Sequence, residues 1–182
     1  KFQIKDVVFL AIMSAVALAT CAVMPLVISL QPLIFGISQL VTALQIGVFF
    51  AIGLYKVRKP GSLLIMALMM GLIQLMMSPP MFLSSVLNGI LIELIVLLLF
   101  RGYERDAAVF VAAMLHTPLS LPFNYLYNRL IKGADSPLAA VADRAPLAAV
   151  GMTLAVVAVS ALGALIGIKI ARELKKSGVL KK

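Results

Sequence analysis

The stretch FLSSVLNGILIELIVLLLF, residues 82–100, is an apolar run broken by one ionisable side chain, Glu93. A run of this length is a candidate membrane span. A carboxylate at the depth of the hydrocarbon costs roughly 2.5–3.5 kcal/mol on the gentlest insertion scale. Glu93 is therefore expected to face a protein interior or a polar cavity. That expectation separates a membrane protein that binds or moves something from a merely apolar one.

The rest of the chain repeats the pattern. Of the 182 residues, 63% are hydrophobic and 13% charged, and the mean hydropathy is +1.11. Apolar runs separated by charge, Pro and Gly fall at about 7–24, 33–55, 62–77, 82–100, 107–130 and 147–171. These predict an all-α membrane protein, a compact six-transmembrane-helix bundle in a single domain spanning 1–182. Little chain is left over for a soluble nucleotide-binding or catalytic domain.

Basic residues orient the bundle. With six spans, the two termini and the loops after spans two and four share one side, which carries thirteen Lys and Arg, from Lys1, Lys56 and Arg101 to Lys182. The other side holds three, Arg129, Lys132 and Arg144. The positive-inside bias places both termini in the cytoplasm and the protein in the cytoplasmic membrane as a multi-pass chain. The net charge of +9 then reflects topology and attraction to anionic lipid heads. The basic residues are dispersed and accompany no recognition motif, so no nucleic-acid partner is expected.

The fifth run holds the richest polar pattern. His116, Ser120, Asn124 and Tyr127 recur every three or four residues and form one helical stripe. Pro118 and Pro122 lie in the same segment, and each removes a backbone donor. Stripe and prolines together predict a helix that lines a cavity. At about 1.5 Å per residue, Glu93 lies roughly 16 Å below Phe82 and His116 roughly 14 Å above Ala107, near one level. The expected site opens outward, is floored by Glu93 and His116, and has Asn88, Ser120 and Asn124 in a shallower layer. Gln39 and Thr42 of span two are further candidates, with Ser38 beside them. Asn88 and Glu93 lie about 140° apart around their helix, so a narrow pocket cannot hold both squarely. Gln45 and Gln74 read as interhelical glue.

Several functions lack their residues. No phosphate-cradling Gly-rich loop with its Lys occurs. A lone His and a lone Cys21 give no metal site, and no cofactor is expected in this chain. Small residues recur at Ala11, Ala15 and Ala19, at Gly151, Ala155, Gly163 and Gly167, and at Ala67 and Gly71. Such rows let helices approach closely, within the bundle or against a partner helix.

The chain resembles the substrate-binding S component of an energy-coupling-factor (ECF) vitamin transporter. The likeness rests on about 180 residues in six spans with cytoplasmic termini. It rests also on Ile4-Lys5-Asp6-Val7-Val8 leading into a helix that bears Ala11 and Ala15. The resemblance implies a vitamin-sized pocket near the outer face, covered by a loop at about Pro25 to Pro32 that includes Gln31. It implies that Ala11, Ala15 and Ala19 dock on a transmembrane coupling subunit. Two cytoplasmic ATPases, with their ATP and Mg, supply the energy, so this chain is not itself an enzyme; it tips in the membrane to deliver its ligand. The stretch from Tyr55 to Gly61 is most similar to the group linked to hydroxymethylpyrimidine or related thiamine precursors; pyridoxine and pantothenate stay open. Two other readings stand beside it. One is an autonomous permease using Glu93 as a proton-coupling group; the other is a structural membrane protein in which the His116 stripe is interhelical glue.

Overall fold

The computed structural model describes residues 2–21, 26–27, 29–30, 32–133 and 136–180. Among these residues the structure is all-helical, with seven helices and no strand. We label them α1 (Ile4–Thr20), α2 (Ile37–Lys56), α3 (Ser62–Leu75), α4 (Pro79–Phe100), α5 (Asp106–Ile131), α6 (Pro137–Arg144) and α7 (Pro146–Lys176). Four of them, α2, α4, α5 and α7, are long and apolar enough to cross a membrane. The 17 residues of α1 and 14 of α3 rise only about 26 and 21 Å, short of a hydrocarbon core of about 30 Å.

Helix boundaries follow local chemistry. The second helix begins at Ile37 rather than near 33, because Gly36, at φ 76°, forms its N-cap and the residues before it are turns. Pro79 and Pro80 open α4 three residues earlier than expected, since proline in the first turn lacks an N–H that the helix would leave unbonded. The segment 129–145, expected as a loop, contains the short helix α6. The expected first span, 7–24, runs past Thr20 into residues outside the described ones.

The six longer helices alternate between two ends of the bundle. At one, the basic end, Arg58 and Arg172 both pair with Asp106, and Lys59 pairs with Asp6 at 2.6 Å. These contacts gather the starts of α1 and α5, the α2–α3 connector and the last turns of α7. At the opposite end lie the α3–α4 connector, the end of α5, and α6.

Helices touch where side chains are small. The packing of α2 on α7 is the most extensive in the bundle. A Cβ added at Gly163 would sit 2.5 Å from the Leu44 carbonyl oxygen, and one at Gly167 would sit 2.5 Å from that of Val48. Part of the α7 small-residue row is thus consumed inside the bundle, although Gly151 faces open space. Hydroxyls add ties between helices. Ser14 of α1 donates to the Met66 carbonyl of α3, and Ser85 of α4 donates to that of Ala67. Pro118 has no N–H to offer the carbonyl of Met114, and Ser160 of α7 donates to that oxygen at 2.8 Å. The α5 helix continues through both prolines, and at Pro118 this neighbouring hydroxyl re-satisfies the freed carbonyl.

Candidate functional site

A polar chamber lies inside the bundle, bounded by α2, α3, α4 and α5. Its volume is about 90 Å³. From α2 come Ser38, Gln39 and Thr42; from α3, Met70 and Gln74; from α4, Ser84, Ser85 and Asn88. From α5 come His116, Ser120 and Asn124 of the stripe, with Thr117 beside them. None of its described lining residues is Asp, Glu, Lys or Arg.

Three of the four stripe residues, His116, Ser120 and Asn124, border the chamber. His116 is almost fully buried and packs its ring 4.5 Å from that of Phe50, tilted by 45°. Ser120 donates to the Thr117 carbonyl within its own helix, and Thr42 donates to that of Ser38. Other polar atoms are left without partners. Both amide atoms of Asn88, both ring nitrogens of His116 and the Thr117 hydroxyl are buried with no hydrogen bond in the protein. Buried polar groups are paired in the great majority of cases, so a cluster of unpaired ones around one cavity marks a place for an occupant.

An outer bowl of about 550 Å³ adjoins the chamber and shares Met81 and Asn124 with it. Pro32, Ser78, Tyr127, Lys132 and Ser136 are among its walls. The bowl is shaped by α6, which is tied to α5. The Tyr125 hydroxyl donates to Asp143 at 2.7 Å, Arg129 also pairs with Asp143, and Ser136 donates to Asn128 at 3.0 Å. Tyr127, expected as a substrate-binding member of the stripe, lines this bowl and not the chamber.

Glu93 corrects the expected floor. Its Oε1 accepts the backbone N–H of Gly61 at 2.6 Å, and its Oε2 accepts the Tyr103 hydroxyl at 2.9 Å. It does not border the chamber, and neither nitrogen of His116 bonds to it. Gly61 is the N-cap of α3, held at φ 92°, a conformation glycine adopts without steric cost. The carboxylate thus sits against the start of α3, where the helix dipole favours negative charge. Burial, with Glu93 as neighbour, pushes the Tyr103 phenol far above its usual range. At this position Glu93 joins two connectors at the basic end.

The chain matches the family model described as a hypothetical bacterial integral membrane protein (Trep_Strep) over residues 4–176. It belongs to that family. As a Trep_Strep member it is an integral membrane protein, and the match covers all seven helices, both cavities and the basic end. No curated protein and no solved structure matches the chain.

Sequence reasoning found Gln39, Thr42, Asn88, His116, Ser120 and Asn124, which the structure brings to one chamber. It set Gln74 aside as glue, although Gln74 borders the same space, and it passed over Ser84 and Thr117. Ser84 lies four residues before Asn88, a spacing that places both on one face. Gln31 lies outside the described residues. On α1, Ala15 and Ala19 are exposed and Ala11 half-buried, whereas Leu10, Ser14 and Ala17 face inward. Among the described residues no group of three His, Cys, Asp or Glu is placed to hold a metal.

Proposed function

We propose that this Trep_Strep protein is the membrane-embedded substrate-binding subunit of an ECF-type importer for a small water-soluble vitamin or vitamin precursor. The carrying observation is the chamber bordered by Asn88 and His116, two buried side chains whose polar atoms have no hydrogen-bond partner in the protein. Hydroxymethylpyrimidine is the first candidate, with pyridoxine and pantothenate as the others. The protein spans the membrane six times with both termini in the cytoplasm, the shorter α1 and α3 crossing beside the four longer helices. The bowl opens to the outside, and ligand passes through it to the chamber.

The chain catalyses no reaction in this reading. A transmembrane coupling subunit docks on the outward row of Ala11, Ala15 and Ala19, and two cytoplasmic ATPases hydrolyse ATP. The exposure of Ala15 and Ala19 supports this, since the described helices leave these two residues uncovered. The basic end supports it too. Its connectors are pinned by Arg58, Asp106, Arg172 and Glu93, which favours release by movement of the whole bundle over opening of an inner gate. A proton-coupled permease would need Glu93 to meet the ligand path; its bonds to Gly61 and Tyr103, away from the chamber, favour the receptor reading.

The test is purification from the native membrane with a mild detergent. Recovery of a membrane subunit with two ATPases, and one-to-one binding of a small heterocycle by the isolated chain, are the expected results. A homo-oligomer that transports by itself in liposomes would overturn the assignment.

A further inference from the structure

The unpaired atoms of the chamber specify more than polarity. Asn88 is 1% exposed and His116 4%, and both border the chamber. The free atoms of Asn88 are its Oδ1 and Nδ2, an acceptor and a donor on one edge of a planar amide. A neutral imidazole likewise has one N–H and one bare nitrogen. An unpaired buried group carries an uncompensated desolvation penalty, and an occupant bearing the complementary atoms recovers that loss.

We propose that the buried end of the ligand is an uncharged planar group carrying a donor and an acceptor side by side on one edge, read by Asn88. This rests on the receptor reading above and narrows its substrate class. Primary amides, lactams and amino-azines have such an edge. Two antiparallel hydrogen bonds then close with the Asn88 amide, the geometry by which asparagine reads adenine. A trans secondary amide places its N–H and C=O on opposite sides and forms only one of the two bonds. A carboxylate offers acceptors alone, an ammonium donors alone.

Charge selects in the same direction. With no ionic side chain among the described lining residues, an ionised group entering the chamber would be buried without a counter-ion, at a cost well above that of a neutral polar group. Lys132 is the one charged residue lining the bowl among those described. A carboxylate or phosphate elsewhere on the ligand therefore stays in the bowl while the neutral edge goes inward. Among the three candidate vitamins, this favours the amino-azine edge of hydroxymethylpyrimidine and disfavours the chain of pantothenate, with its trans amide and acid.

The full chain in lipid nanodiscs would be titrated with nicotinamide and 4-aminopyrimidine, each set against analogues without the edge: N,N-dimethylnicotinamide, ionised nicotinate and 4-methylpyrimidine. The edge-bearing probes are expected to bind at least tenfold tighter, and Asn88→Leu to abolish that preference. Equal or tighter binding of the edge-less analogues by the unaltered protein would overturn the proposal, whether or not the variant folds. Mass spectrometry of any co-purified molecule separates the two levels. A bound compound lacking such an edge sinks the edge rule and leaves a receptor. No extractable molecule and no binding by any probe would remove both.

Discussion

The Tyr103 hydroxyl donates to Oε2 of Glu93 at 2.9 Å, and this bond joins the α4–α5 connector to the C-terminal third of an apolar helix. With the Gly61 N–H on the other oxygen, the carboxylate anchors the α2–α3 connector too. Glu93→Ala leaves the buried Tyr103 hydroxyl without a partner, at about 1–3 kcal/mol, and frees the half-buried Gly61 N–H as well. The expected result is a lower thermal midpoint in detergent with unchanged ligand affinity. Glu93→Gln keeps one acceptor and costs less. Uptake driven by a pH gradient and abolished by Glu93→Gln would contradict this assignment.

The same bond sets an alkaline limit. The Tyr103 phenol titrates far above its ordinary value of 10.0 in the folded protein. A group whose folded pKa is raised stabilises fully below its unfolded pKa and loses that contribution as pH rises beyond it. The thermal midpoint is therefore expected to hold from pH 7 to about 9 and to fall above about 10. Tyr103→Phe should be less stable at neutral pH and should show a shallower alkaline decline, as melting curves across pH would reveal.

Helix packing gives a paired prediction. Gly163→Ala places a methyl 2.5 Å from the backbone oxygen of Leu44, which can yield only if α2 and α7 separate. Overpacking of this kind costs about 1–3 kcal/mol. Gly151→Ala, in the same row of small residues but with nothing within 4 Å, should be neutral or slightly stabilising. Unfolding of the two purified variants in parallel checks the contrast.

Binding should follow the chamber. His116→Ala is expected to weaken the ligand at least tenfold, and Asn124→Ala less, because Asn124 stands at the border between chamber and bowl. Titration by calorimetry measures both. Unaltered affinity in both variants would remove α5 from the site.

What the sequence revealed, and what it hid, has physical reasons. The row His116, Ser120, Asn124 was legible because helical periodicity needs no knowledge of neighbours, and α5 keeps its turns through Pro118 and Pro122. Glu93 was misplaced because depth was counted from Phe82. Pro79 opens the helix almost one turn earlier, so Glu93 lies about 21 Å from its start, against seven residues, about 10 Å, from its end at Phe100. Its partners come from a backbone N–H and from a tyrosine beyond the helix end, neither of which has a periodic signature. The helix α6 escaped because eight residues between prolines and charges resemble a polar loop. Gln74 showed the limit of chemistry without geometry, since an amide serves equally as glue or as a pocket wall.

The most direct measurement is a titration of whichever small molecule is released from the purified protein, run on the unaltered chain and on Asn88→Leu. One-to-one binding that falls at least tenfold in the variant, with both proteins melting at similar temperatures, is the predicted result. Equal affinity in two well-folded proteins would show that the ligand never meets the chamber.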